Sequence, residues 1–148
     1  MAKRSTKEIQ EKIVANMKRW QKIENASVSS TGQIIEKTEN PIVRLIMEII
    51  QRDSQMHYRV QEFIVDSLES KTVNLNPDEL AEVWGKIETH IQLEKETVKI
   101  AKETLETMKG KKMMVQEYLL NYLMIDEDKH NEVLDKLEAI KKGMYPYG

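Results

Sequence analysis

Each of the chain's three histidines stands one helical turn from a carboxylate: Asp53 precedes His57, Glu94 follows His90, and Asp126 precedes His130. Side chains four residues apart share one face of a helix. Such a pair can relay a proton, neutralise itself, or hold a metal ion through nitrogen and oxygen. The chain has no cysteine, which excludes thiolate sites, iron–sulfur clusters, cysteine nucleophiles and disulfides. A metal would therefore be held by imidazole and carboxylate, a donor set that suits iron or manganese first and zinc after them.

The three pairs interrupt apolar stripes rather than polar faces. Asp53 and His57 fall within the series Ile42, Leu45, Ile46, Ile49, Val60, Ile64 and Leu68. His90 and Glu94 fall between Ile87 and Val98, and Asp126 and His130 between Tyr122 and Val133. The middle pair runs in the opposite order, as an antiparallel neighbour requires. Helices of equal rise folded at a hairpin bring together residues equidistant from the turn. His57 with His90 and Asp53 with Glu94 share a turn centre between Val73 and Asn74, while His90 with His130 and Glu94 with Asp126 share a centre at Gly110. This spacing predicts three carboxylates at one height and three histidines about 6 Å along the axis. Six such groups in an apolar interior would each cost several kcal/mol if left unpaired, and a bound cation compensates them directly. The plainer alternative is three Asp/Glu–His pairs that only fix helix register.

The elements that must position these residues are helices. The sequence is 40% hydrophobic and 32% charged with only 5 Gly and 3 Pro among 148 residues, a composition suited to long amphipathic helices. Ile9, Ile13, Met17 and Trp20 predict a short first helix over about 5–25, ended by the polar stretch NASVSSTGQ. Asn40-Pro41 and Asn76-Pro77 are start signals for two long helices. A fourth helix is expected over 111–142, joined to the third by a tight turn at Gly110 and stopped by Gly143. Gly85 is read as a point of close helix approach. The expected fold is thus all-α: a bundle of three long antiparallel helices plus a short N-terminal helix. The chain divides into a basic N-terminal helix and linker at 1–39, the bundle at 40–142 and a tail at 143–148.

Residues 118–136, YLLNYLMIDEDKHNEVLDK, resemble the last helix of ferritin-like and rubrerythrin-like proteins, where an acidic pair precedes a Glu-x-x-His motif, here Glu127 to His130. Residues 44–63, RLIMEIIQRDSQMHYRVQEF, resemble the same kind of segment, and the likeness spans 40–142. It implies a ferritin-like four-helix bundle around a dinuclear iron or manganese centre that handles ferrous iron, dioxygen or peroxide. In the last helix the family motif selects Glu127 while the apolar stripe selects Asp126; Asp126 is the preferred ligand and Glu127 is kept beside it. The candidate ligands are therefore Asp53, His57, His90, Glu94, Asp126, Glu127 and His130.

The expected function is metal binding, with a di-metal oxidoreductase or iron-handling protein as its active form. A non-enzymatic helical interaction module is the competing class. The net charge of −2 gives no whole-molecule reason to bind nucleic acid, although residues 1–25 carry seven Lys/Arg against three Glu. No apolar run approaches the roughly 20 residues of a membrane span, and the basic opening lacks a signal peptide's apolar core, so a cytoplasmic protein is expected. The expected partners are metal ions and a second copy of the chain, as a homodimer or higher homo-oligomer.

Overall fold

A computed structural model of the chain describes residues 2–70 and 75–144. Among them are four helices and no strand: α1 (Thr6–Lys37), α2 (Pro41–Glu69), α3 (Pro77–Thr107) and α4 (Met114–Met144). They form two compact units, Met1–Val73 and Asn74–Gly148, each a helical hairpin. The turn centre expected between Val73 and Asn74 lies outside the described residues. No helix among the described residues is long and apolar enough to cross a membrane.

The first helix is not short. Ser5 and Glu8 open α1 with a reciprocal capping box, the Ser5 hydroxyl accepting from the Glu8 amide at 3.2 Å and the Glu8 carboxylate from the Ser5 amide at 3.0 Å. The stretch expected as a linker over 26–39 is helical as far as Lys37, giving 32 residues in one helix. Serine, threonine and glycine are poor helix formers, but packing overrides propensity here. Ser27 meets Ser54 of α2 at 2.8 Å, Thr31 donates back to the Ser27 carbonyl at 2.8 Å, and Gln51 donates to the Val28 carbonyl at 3.2 Å. Asn40 then caps α2, its carbonyl accepting from the amides of Ile42 and Val43.

The seam of this first hairpin runs at spacings of three and four through Gln21, Glu24, Val28 and Thr31 on α1 and Gln51, Ser54, Tyr58, Gln61 and Val65 on α2. It is largely polar. Of its fully buried residues, Glu24, Thr31, Ser54, Gln61 and Val65, only Val65 is apolar. The apolar stripes read from the sequence lie beside this seam, and Trp20 and Val60 are exposed.

In the second hairpin the Asn76 side chain accepts from the Asp78 amide at 2.9 Å and Pro77 opens α3. Leu80, Trp84, Ile91, Glu94 and Ala101 are buried along one stripe, as the periodicity predicts. The expected turn at Gly110 is present: Gly110 has φ +75°, a conformation glycine adopts without steric cost. On α4 the predicted Val115, Leu119, Tyr122 and Leu137 are half-buried, and so are Leu120, Met124, Glu127, Asn131, Leu134 and Glu138 beside them, whereas Val133 and Ile140 of the predicted stripe are exposed. Lys141 closes the far end over the Trp84 ring at 4.8 Å. The helix continues through Gly143 to Met144, and 145–148 lie outside the described residues.

Two glycines should respond in opposite directions. A Cβ at Gly85, inside α3, would meet nothing within 4 Å, so the glycine serves no close approach and Gly85→Ala is expected to stabilise by ~1 kcal/mol. Gly110 is equally open, but its positive φ makes Gly110→Ala cost ~1–2 kcal/mol. Thermal melts followed by circular dichroism should rise a few degrees for the first and fall a few for the second. A lower midpoint for Gly85→Ala would show that α3 is constrained there by something other than helix propensity.

Candidate metal centre

Glu94 occupies a seam position of α3, and its carboxylate is only 8% exposed. A buried carboxylate must find donors, a proton or a cation. One oxygen has its donor, since Oε1 lies 2.9 Å from Nε2 of His90, one turn earlier on the same helix. The other, Oε2, is buried with no hydrogen-bond donor when both neighbouring carboxyls are ionised. It faces α4, where Nδ1 of His130 lies 3.5 Å away and Glu127 stands beside it.

The His130 ring is held between carboxylates. Its Nδ1 is 3.7 Å from Glu127 Oε2, and its Nε2 is 3.5 Å from Asp126 Oδ2. Asp126 is itself paired with Lys129 at 2.7 Å. Thr97, one turn after Glu94, donates to Glu127 Oε2 at 2.9 Å and to the Glu94 carbonyl at 2.7 Å. Glu94, Glu127 and His130 each offer one ligand atom, all within 4.8 Å of one another, and among the described residues this is the only group of three able to hold a metal ion.

The electrostatics follow from two carboxyls facing each other in a half-dry seam. The adjacent Glu94 pushes the Glu127 carboxyl above its ordinary value, with burial acting in the same direction. Glu94 is held below its ordinary value, first by its contact with the Glu127 carboxyl and then by His90 and His130, against the opposing effect of burial. The same contact thus displaces the two carboxyls in opposite directions.

The observed register differs from the equidistance expectation by one helical turn. Glu94 meets Glu127 and His130 rather than Asp126 alone, and Thr97 meets Glu127. Side chains lean toward the N-terminus of their own helix, which is away from the turn on α3 and toward it on α4. An α3 side chain therefore meets an α4 residue whose Cα lies further from the turn. The first hairpin shows the same offset where Ser27 meets Ser54.

The other candidate residues lie in the first hairpin. His57, its side chain 59% exposed, has Nδ1 3.5 Å from Glu24 Oε1 on α1. Asp53 is half-buried one turn earlier on α2. Glu24 was not among the sequence candidates, nor was Gln61, whose Nε2 donates to Glu24 Oε1 at 3.5 Å. The signal was present: Met17, Glu24 and Thr31 are seven apart, as are Gln21, Val28 and Ile35. A search for apolar stripes passes over a seam built largely from polar residues. Comparison of the chain with protein-family models, with curated proteins and with solved structures found no match.

The opposed shifts of the two carboxyls set a pH dependence. Glu127, raised on folding, contributes stability that is full below the ordinary carboxylate range and lost as pH rises through its folded value. Glu94, lowered on folding, contributes stability that is full above that range and lost as pH falls through its folded value. A glutamine at 127 offers Glu94 a donor at every pH. In chelator, Glu127→Gln is therefore expected to melt above the unsubstituted protein once pH exceeds the raised Glu127 value, and level with it in acid. Melts from about pH 4 to about pH 8 span the window. Identical midpoints throughout would show that the two carboxyls do not influence each other.

Proposed function

We propose that the second hairpin binds a divalent transition-metal ion through Glu94, Glu127 and His130, with iron or manganese the favoured ions and zinc after them. One observation carries the reading: the buried Oε2 of Glu94 has no donor, and it faces a second carboxylate and an imidazole nitrogen. The surrounding groups suit the same role. His90 occupies the other Glu94 oxygen, which leaves Oε2 for the ion. Asp126 faces Nε2 of His130 and directs Nδ1 inward, the support that metal-bound histidines usually receive. Carboxylate and imidazole ligands bind an ion only when deprotonated, so affinity falls as pH falls.

An iron or manganese ion so held would supply one-electron chemistry toward dioxygen or peroxide, the activity class to which the ferritin-like resemblance points. Within that proposal Glu94 and Glu127-x-x-His130 are the family's elements, while Asp126 and His90 act by orienting ligands. The exposed Leu123, Ile125 and Val133 of α4 support self-association, which sedimentation of the purified protein would measure.

A second reading has its own observation. His90 and His57 each already face a glutamate, at 2.9 Å and 3.5 Å, so the pairs could serve only to fix register in a helical interaction module. Thermal stability separates the two. An ion bound only by the folded chain adds about 2.7 kcal/mol at a hundredfold excess over Kd, enough to raise the midpoint by several degrees. Midpoints that agree between metal-loaded and chelated protein would leave the interaction module standing.

Elemental analysis of protein purified without added metal, and titration of its variants, should give a graded result. Glu94→Gln and His130→Ala remove ligands and are expected to weaken binding by more than ~100-fold, whereas Asp126→Asn removes an orienting contact and should cost ~10-fold. Tyr58→Phe, in the other hairpin, should change nothing. Equal metal content in all four variants would rule out this site.

A further inference from the structure

The two hairpins carry the same polar layer at the same spacing. In the first, Glu24 of α1 lies 3.5 Å from Nδ1 of His57; in the second, Glu94 of α3 lies 3.5 Å from Nδ1 of His130. Three residues after each glutamate stands a hydroxyl, Ser27 or Thr97. Three residues before each histidine stands its hydrogen-bond partner, Ser54 at 2.8 Å from Ser27 and Glu127 at 2.9 Å from Thr97. Asp53 precedes His57 by one turn as Asp126 precedes His130. Glutamate, hydroxyl and histidine thus recur, while three positions that touch the layer change chemistry: Ser54 stands against Glu127, Gln61 against Leu134 and Trp20 against His90.

The change at Ser54 removes the third ligand. Glu24 and His57 alone offer one carboxylate and one imidazole, too few to displace water from an ion. The structure also shows what answers Glu24 in place of a cation. Gln61, four residues after His57 and 3% exposed, donates its amide to Glu24 Oε1, and its own Oε1 is buried without a donor. The second hairpin has Leu134 at the equivalent position, four residues after His130, and its glutamate has no such amide. A cavity of about 280 Å³ lined by Met17, Trp20, His57, Val60, Gln61 and Ile64 opens beside the layer and gives it an approach from outside.

We infer that the first hairpin is a second metal-site scaffold, built to the same plan, in which Ser54 is the residue that withholds metal and Gln61 supplies a hydrogen bond to the glutamate left behind. A carboxylate at position 54 would complete a Glu–Glu–His set with Glu24 and His57 and would take the same divalent ion as the second hairpin. This inference rests on the proposed metal binding at Glu94, Glu127 and His130, and the test keeps the two apart.

The full chain would be titrated with manganese(II) and with zinc(II) alone, as unsubstituted protein, as Ser54→Glu, and as Ser54→Glu with Gln61→Leu, each with and without His130→Ala. Thermal melts establish that each variant folds. One ion per chain is expected for the unsubstituted protein, two for the Ser54 variants, and one again when His130→Ala disables the second hairpin. One ion retained by the Ser54 variants in the His130→Ala background, with none in unsubstituted protein, would end the proposed function and keep this inference. A folded Ser54→Glu protein that gains no ion, alone or with Gln61→Leu, would overturn the inference and leave the proposed function intact. Failure of both Ser54 variants to fold would overturn it as well, because a scaffold of the same plan must accept at 54 what the second hairpin carries at 127.

Discussion

A carboxylate placed in the seam between two helices sets the terms for everything around it. Glu94 in the second hairpin and Glu24 in the first are each almost wholly withdrawn from solvent, and the salt-bridge partners found for them among the described residues are histidines. Desolvating such a group without compensation costs several kcal/mol, a large fraction of what a domain of this size has in reserve. The neighbours therefore read as answers to one electrostatic problem. His90 and His130 answer Glu94, and His57 and Gln61 answer Glu24.

The histidines that face these carboxylates are themselves partly open. The side chains of His90 and His130 are 57% and 41% exposed, while Glu94 sits beneath them. A buried anionic oxygen beneath solvent-reachable imidazoles can exchange protons or ions with solvent without unfolding the hairpin. Glu94 and Glu127 face each other in the seam, and that contact is the main cause displacing both carboxyls from their ordinary proton affinities.

Polar seams also govern how the helices align. In the first hairpin Gln51 to the Val28 carbonyl, Ser27 to Ser54 and Gln21 to the Tyr58 carbonyl tie α1 to α2 at three levels. Hydrogen bonds contribute modestly to net stability, but a misaligned register would strand buried donors and acceptors, and that penalty is larger. Continuity of α1 through its serine- and threonine-rich stretch follows from this tie. Its hydroxyls, which in a free peptide would compete with the helix, are here engaged within it or across the seam.

Local chemistry made much of the protein legible from the residues alone. Asn40-Pro41 and Asn76-Pro77 start helices because a capping amide carbonyl and a pre-set φ act within three residues. Gly110 turns the chain because it can take a positive φ, and the α3 stripe found its seam because Leu80, Trp84, Ile91 and Ala101 are apolar at helical spacing. The pairing of histidines with carboxylates one turn away was legible for the same reason, since it is a property of a single helix. What a single helix cannot contain is which of its faces meets a neighbour. On α4 residues of the apolar stripe and of the row beside it are both half-buried, and it is Glu127 that joins Glu94 and His130, while the pairing of Glu24 with His57 and Gln61 was set only once α1 lay against α2. The one-turn offset in register was likewise decided by the lean of side chains across an antiparallel pair, a geometry that exists only when both helices are present.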